Sequence, residues 1–196
     1  YMLKTNFAYL LTDEELVFEI VETNNSQLFA VLYDRFSKVV FNKCYGFANS
    51  KEEAEDLTHD VFIRLFLKLK TFKGKAKFST WLYSFTYNFC VNYVQRNSYK
   101  KKEKFTVVTD VIKDDDVSMN IEETDLFAVK SEKLGRTLEL MEPKDKMILL
   151  MKYQDDISIK EIKESLAIGE SAVKMRIKRA RHKAVSIYSE LLEEVV

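Results

Sequence analysis

Apolar and polar positions recur with a helical period along most of the chain. In "SKEEAEDLTHDVFIRLFLKLK", Ala54, Leu57, Val61, Leu65 and Leu69 return at steps of three and four. At about 100° per residue they share one side of a helix and make a core stripe. Ser50 followed by Glu53 is a capping-box pair that starts this helix. A second stripe runs along the same helix: Asp56, Asp60, Ile63 and Leu67. It mixes carboxylates with aliphatic side chains. It fits a solvated acidic face whose aliphatics are covered by neighbours. It equally fits a docking face for a basic protein partner, where apolar burial supplies energy and charge supplies orientation.

The segment before it, "SQLFAVLYDRFSKVVFNKCYGFA", is also helical, with Leu28, Leu32, Phe36, Val39 and Val40 in one stripe. Gly46 and the Asn49–Ser50 pair mark the turn between the two helices. The residues up to about Asn24 are helix-like but carry no interpretable motif.

A third pattern follows in "FKGKAKFSTWLYSFTYNFCVNYVQRNSYKKKEK". Gly74 allows a turn, and Ser79 or Thr80 is placed to cap a new helix. Leu82, Phe85, Phe89 and Tyr93 project together as a core stripe, and Trp81, Asn88, Asn92 and Gln95 form another. An aromatic with three carboxamides, flanked by lysines, suits nucleic acid. Lysines neutralise phosphate, carboxamides hydrogen-bond base edges and aromatic faces stack on unpaired bases. Trp81 taken by itself reads as core.

The C-terminal stretch "MEPKDKMILLMKYQDDISIKEIKESLAIGESAVKMRIKRARHK" predicts three helices. Pro143 sits at a first helical position, where its missing N–H is tolerated. Ser158 and Glu161 form a capping box that opens a short helix with Ile162 and Leu166 inside. "AIG" makes a turn, and a third helix starts near Glu170. In it Val173, Ile177, Ala180 and Ala184 point inward, while Ser171, Lys174, Lys178 and Arg181 point outward, with Met175 and His182 beside them. A short helix, a tight turn and a basic helix fit a DNA-binding helix-turn-helix; a basic, solvated helix closing a bundle fits the same spacing.

Composition supports helices. Apolar residues make up 46% of 196, with one Pro and four Gly. That argues against a disordered chain and a turn-rich β fold. Charge adds more. The formal net charge is zero, from 31 basic and 31 acidic residues. Yet residues 73–104 are basic, Asp110–Asp125 are acidic, and the stretch after Glu170 has no acid until Glu190. Zero charge thus hides two basic blocks around an acidic one. The acidic segment reads as a linker, so the expected organisation is all-α: a domain over residues 1–104, a linker over 105–127 and a second domain over 128–196. The expected protein is soluble and cytoplasmic, without a secretory signal or membrane span. Cys44, Cys90, His59 and His182 lie too far apart in sequence to suggest a metal site, and no cofactor or catalytic set is expected.

Both halves resemble one family. "EDLTHDVF", "FKGKAKFSTWLY" and Asn88 with Arg96 in "NFCVNYVQR" resemble the promoter-melting region two of a bacterial RNA polymerase sigma factor. "SIKEIKESLAIGESAVKMRIKRAR" resembles its region-four helix-turn-helix. The order of the parts matches the family as well, and the resemblance to these two regions alone points to the extracytoplasmic-function type. The resemblance implies that Asp56, Asp60, Phe62, Ile63 and Leu67 dock on the β′ clamp helices of core RNA polymerase. It implies that Lys77, Phe78, Thr80, Trp81, Tyr83, Asn88, Asn92, Gln95 and Arg96 hold the opened −10 element. Ser171, Ala172, Lys174, Met175, Lys178, Arg179 and Arg181 would contact the −35 element, with region four also on the β flap. An anti-sigma factor is a further implied partner. The rival from another class is a repressor or activator using only the helix-turn-helix, with the first domain as sensor or dimerisation unit.

Overall fold

A computed structural model of the chain describes residues 8–104 and 131–193, with side chains over 8–97 and 133–192. The expected linker, 105–127, lies outside the described residues. All regular structure among the described residues is helical: α1 Asp13–Thr23, α2 Ser26–Tyr45, α3 Lys51–Lys68, α4 Phe78–Lys104, α5 Ser131–Leu140, α6 Pro143–Leu149, α7 Ile159–Leu166 and α8 Glu170–Glu193. A 3-10 turn, Leu69–Thr71, extends α3, and a π turn, Leu150–Gln154, extends α6. The chain divides into two compact units, Tyr1–Cys90 and Val91–Val196, so the division falls inside α4.

In the first unit α2 and α3 pack along each other. Val31, Leu32, Phe36 and Val40 from α2 are buried, as are Ala54, Leu57, Val61 and Leu65 from α3, which is the stripe the spacing predicts. Ser50 accepts the Glu53 N–H at 3.2 Å, as a cap should. Glu53, however, turns its carboxylate to the backbone N–H of Asn49 and to the Asn49 carboxamide at 2.8 Å. The cap therefore closes one residue earlier than the box predicted.

The segment without a sequence motif acquires a role. Arg35 on α2 binds Asp13 at 2.8 Å and donates to the carbonyls of Ala8, Tyr9 and Leu11. One guanidinium thus gathers the chain leading into α1. Thr12 and Glu15 form a reciprocal capping box at the start of α1. Those bonds to Thr12 pull the Glu15 carboxyl below the usual range. Glu14 then accepts the backbone N–H of Phe78 at 2.8 Å. Helix α4 begins one residue before the predicted Ser79 or Thr80 cap, and a carboxylate from α1 satisfies its first donor.

The predicted core stripe of α4 is only partly right. Leu82 is buried, but Phe85, Phe89 and Tyr93 are half-buried. Phe78, Tyr87, Cys90 and Val91 are also buried, together with Thr80, Ser84 and Thr86. Ser84 and Thr86 bond back to the carbonyls of Thr80 and Leu82 at 3.0 and 2.9 Å, so their hydroxyls are satisfied inside the core.

In the second unit, α5, α6 and α7 all pack on α8. Pro143 occupies the start of α6, and Met147, Ile148 and Leu149 are buried. The Ser158–Glu161 capping box forms in full. Ala167 ends α7 in the left-handed region at φ 53°, and its N–H bonds the Lys163 carbonyl. The turn reaches α8 through Gly169, whose carbonyl accepts the Val173 N–H at 3.0 Å. Val173, Ile177, Ala180 and Ala184 are buried as predicted.

Candidate polymerase and nucleic-acid surfaces

Helix α3 buries one stripe and presents another. Ile63 is 62% exposed and Leu67 65%, and Asp56 and Asp60 are exposed beside them. These aliphatics are not covered by neighbours among the described residues, which removes the solvated-face reading with covered aliphatics. Phe66, at 37%, extends the apolar part, with its ring 5.0 Å from Phe29. The sequence reading missed it, although it stands three residues after Ile63. Phe62 is different. It is buried, tilted against Tyr33 at 4.5 Å and edge-on to Phe29 at 6.3 Å. It braces α3 on α2 and offers a partner no surface, which corrects its place among the docking residues.

On α4 the expected −10 residues separate by exposure. Lys77, Asn92 and Arg96 are exposed, and Trp81, Tyr83, Asn88 and Gln95 are half-buried. Phe78 is fully buried and Thr80 nearly so. These two cannot touch a base without unpacking the unit, so they support their neighbours instead. Phe78 packs edge-on against Phe36 and Phe72. Trp81 sits between the two readings. Its ring is 5.5 Å from both Phe72 and Phe85, stacked on the latter, yet it keeps access to solvent.

Lys43 carried no sequence signal. Its side chain is buried, with Nζ 4.0 Å above the Tyr83 ring, 4.7 Å from the Tyr87 ring centroid, and donating to the Tyr87 hydroxyl at 3.2 Å. A buried ammonium between two aromatic rings fixes both. Arg64 similarly lies over Phe89 at 4.9 Å, joining α3 to α4.

On α8 the outward set is Ser171, Ala172, Lys174, Met175, Lys178 and Arg179, all exposed, with Arg181 half-buried. Lys174 is paired with Glu170 at 2.6 Å, and Lys183 with Asp145 at 2.8 Å. The Lys174 ammonium holds the Glu170 carboxyl below its ordinary range. Among the described residues there is no cluster of three or more His, Cys, Asp or Glu able to hold a metal. No described helix is long and apolar enough to cross a membrane.

Two family models match this chain: Sigma-70 region 2 over residues 32–99, and Sigma-70, region 4 over residues 131–183. The first covers α3 with its exposed face and most of α4; the second covers the helix-turn-helix. The chain belongs to the sigma-70 family, as a sigma factor of the extracytoplasmic-function type. It is 29% identical over 170 residues to the ECF RNA polymerase sigma factor SigW of Bacillus subtilis, covering 82% of this chain and 89% of the relative. It is 25% identical over 182 residues to the ECF RNA polymerase sigma-E factor of Haemophilus influenzae, covering 89% and 94%. The fold is similar to that of the sigma factor RpoE of Bartonella quintana, solved with the anti-sigma factor NepR. That match has a TM-score of 0.58 at 12% identity, over 82% of this chain and 96% of the other. CnrH, solved with the cytosolic domain of CnrY, matches with the same TM-score at 17% identity, over 91% and 97%. This sigma factor is therefore a transcription initiation factor, and the repressor reading is not favoured.

Proposed function

We propose that the two surfaces divide the work of initiation. The exposed α3 face of Asp56, Asp60, Ile63, Phe66 and Leu67 docks on the β′ clamp helices of core RNA polymerase. Trp81, Tyr83, Asn88, Asn92, Gln95 and Arg96 on α4, with Lys77 before it, receive the opened −10 strand. The outward side of α8 reads the −35 element in the major groove, with region four seated on the β flap. Residues 1–104 and 128–196 act as the two functional domains, joined by the acidic segment 105–127.

The protein does no covalent chemistry. Strand opening runs on binding energy, because captured bases on aromatic and carboxamide side chains offset lost stacking. It works in the cytoplasm, where core polymerase is found. An anti-sigma factor regulates it by covering the α3 face; the sigma factor RpoE, similar in fold, is solved with the anti-sigma factor NepR.

The observation that carries this reading is Ile63 and Leu67 standing in solvent beside Asp56 and Asp60. A protein using only a helix-turn-helix has no need of them. The test is fluorescence anisotropy against sigma-free core polymerase. Tight binding by the wild type that Asp60→Arg abolishes, with the circular dichroism unchanged, is the expected result. Equal affinity of the two proteins would remove the docking assignment.

A further inference from the structure

Cys44 and Cys90 are 46 positions apart, on α2 and α4, and the fold brings their sulfurs to 3.8 Å. Both are free and completely buried. The adjacent residue of α2, Lys43, donates to Tyr87 of α4 at 3.2 Å. The seam is thus pinned next to the two thiols, and their approach is a fixed feature of the first unit.

We propose that Cys44 and Cys90 form a reversible disulfide site, closed by a small hydroperoxide and reopened by a dithiol reductant. The sulfurs already touch. A disulfide needs about 2.05 Å between them, so closing it takes side-chain rotation and movement of the helices.

The pair is also asymmetric. Cys90 donates its S–H to Cys44, and that bond lowers the Cys44 thiol, while Cys90 is pushed up by the same bond and by burial. Cys44 is then the attacking sulfur, and because both thiols are buried the hydroperoxide reaches it only when the α2–α4 seam opens locally. Its thiolate takes the terminal oxygen of the hydroperoxide. The O–O bond breaks, the leaving alkoxide takes up the proton that Cys44 lost on ionising, and Cys44 becomes a sulfenic acid. The Cys90 sulfur attacks Cys44, and water departs carrying the Cys90 proton. Two thiols and one hydroperoxide give one disulfide, one alcohol and one water. A dithiol returns two electrons by exchange.

The bond would tie α2 to α4, beside the Lys43 contact that holds Tyr83. Its existence does not depend on the promoter reading, and its test involves no DNA or polymerase. The folded full-length protein is equilibrated with mixtures of glutathione and glutathione disulfide, quenched in acid and analysed by mass. The same series is run in concentrated urea. An effective concentration of the thiol pair at least about tenfold higher in the folded protein is expected. An equal or lower value overturns the proposal. Hydrogen peroxide on the folded wild type should give a cross-linked peptide containing both cysteines, lost again on adding dithiothreitol. In Cys90→Ser a dimedone adduct should appear at Cys44 instead. Wild type that ends as sulfinic acid or as dimers, without the internal cross-link, also overturns it. If Cys90→Ser fails to fold, the equilibrium series in the wild type still decides.

Discussion

Phe62 and Leu67 lie on the same helix and do opposite work. Phe62 is 3% exposed and locked against Phe29 and Tyr33, whereas Leu67 is 65% exposed. Phe62→Ala should cost about 3–5 kcal/mol of stability, because it removes an enclosed ring and leaves a cavity. Leu67→Ala should stay within about 0.5 kcal/mol of wild type yet weaken binding to core polymerase. Urea melts and anisotropy on the same two variants separate the roles, and a stable Phe62→Ala would return that residue to the docking face. At Ala167 the cost is in the backbone. Its φ of 53° lies in the left-handed region, which a Cβ disfavours by roughly 1–2 kcal/mol. Ala167→Gly should therefore stabilise the second unit, by about 0.5–1 kcal/mol after the extra freedom of glycine in the unfolded chain is deducted. A melting temperature equal to or below wild type would show that the turn relies on the alanine side chain.

Whole helices were legible to different degrees, and the reasons are physical. Helices α3 and α8 each bury one stripe and expose the other, so the 3.6-residue period is written in their apolar letters. Helix α4 is enclosed on more than one side, and its period is blurred. Ser84 and Thr86 are core residues that read as polar, because each satisfies its hydroxyl on its own helix. Its first N–H is satisfied by Glu14, 64 residues away in sequence, a contact that no local pattern encodes. Nor does any spacing announce Lys43, whose burial depends on two tyrosines from another helix. The contacts of Glu14 and Lys43 are both between elements. Loss of the Glu14 cap tests the point. Glu14→Ala should destabilise by about 1 kcal/mol, and amide exchange should quicken first at Phe78 and its neighbours, ahead of α3. Uniform loss of protection across α1 would mean that Glu14 serves its own helix instead.

For the molecule as a whole, a net charge of zero is a sum of blocks, and the salt dependence of promoter binding should report which charges are available. Each phosphate contact releases counterions, so removing one contact lowers the slope of log K against log salt by about one unit. Lys178 and Arg179 are exposed and in no ion pair among the described residues, whereas Lys174 is already held by Glu170 at 2.6 Å. Lys178→Ala in the assembled holoenzyme should therefore lower the slope by about one. Lys174→Ala should lower it by less, since part of that charge is neutralised before DNA arrives. Glu170→Gln should raise affinity by freeing Lys174. The sign with pH follows from the pair. The Glu170 carboxyl is held below its ordinary range, so the ion pair is fully formed above that range and is lost as pH falls through the lowered value. Over about pH 6–8 the carboxylate stays ionised, and the difference between the two lysine variants should not change. Binding of holoenzyme to duplex promoter, titrated in potassium chloride at both ends of that interval, measures all three slopes. Equal slopes for the two lysine variants would mean that Lys174 leaves Glu170 for phosphate on binding. An unaltered slope for Lys178→Ala would take that residue off the DNA.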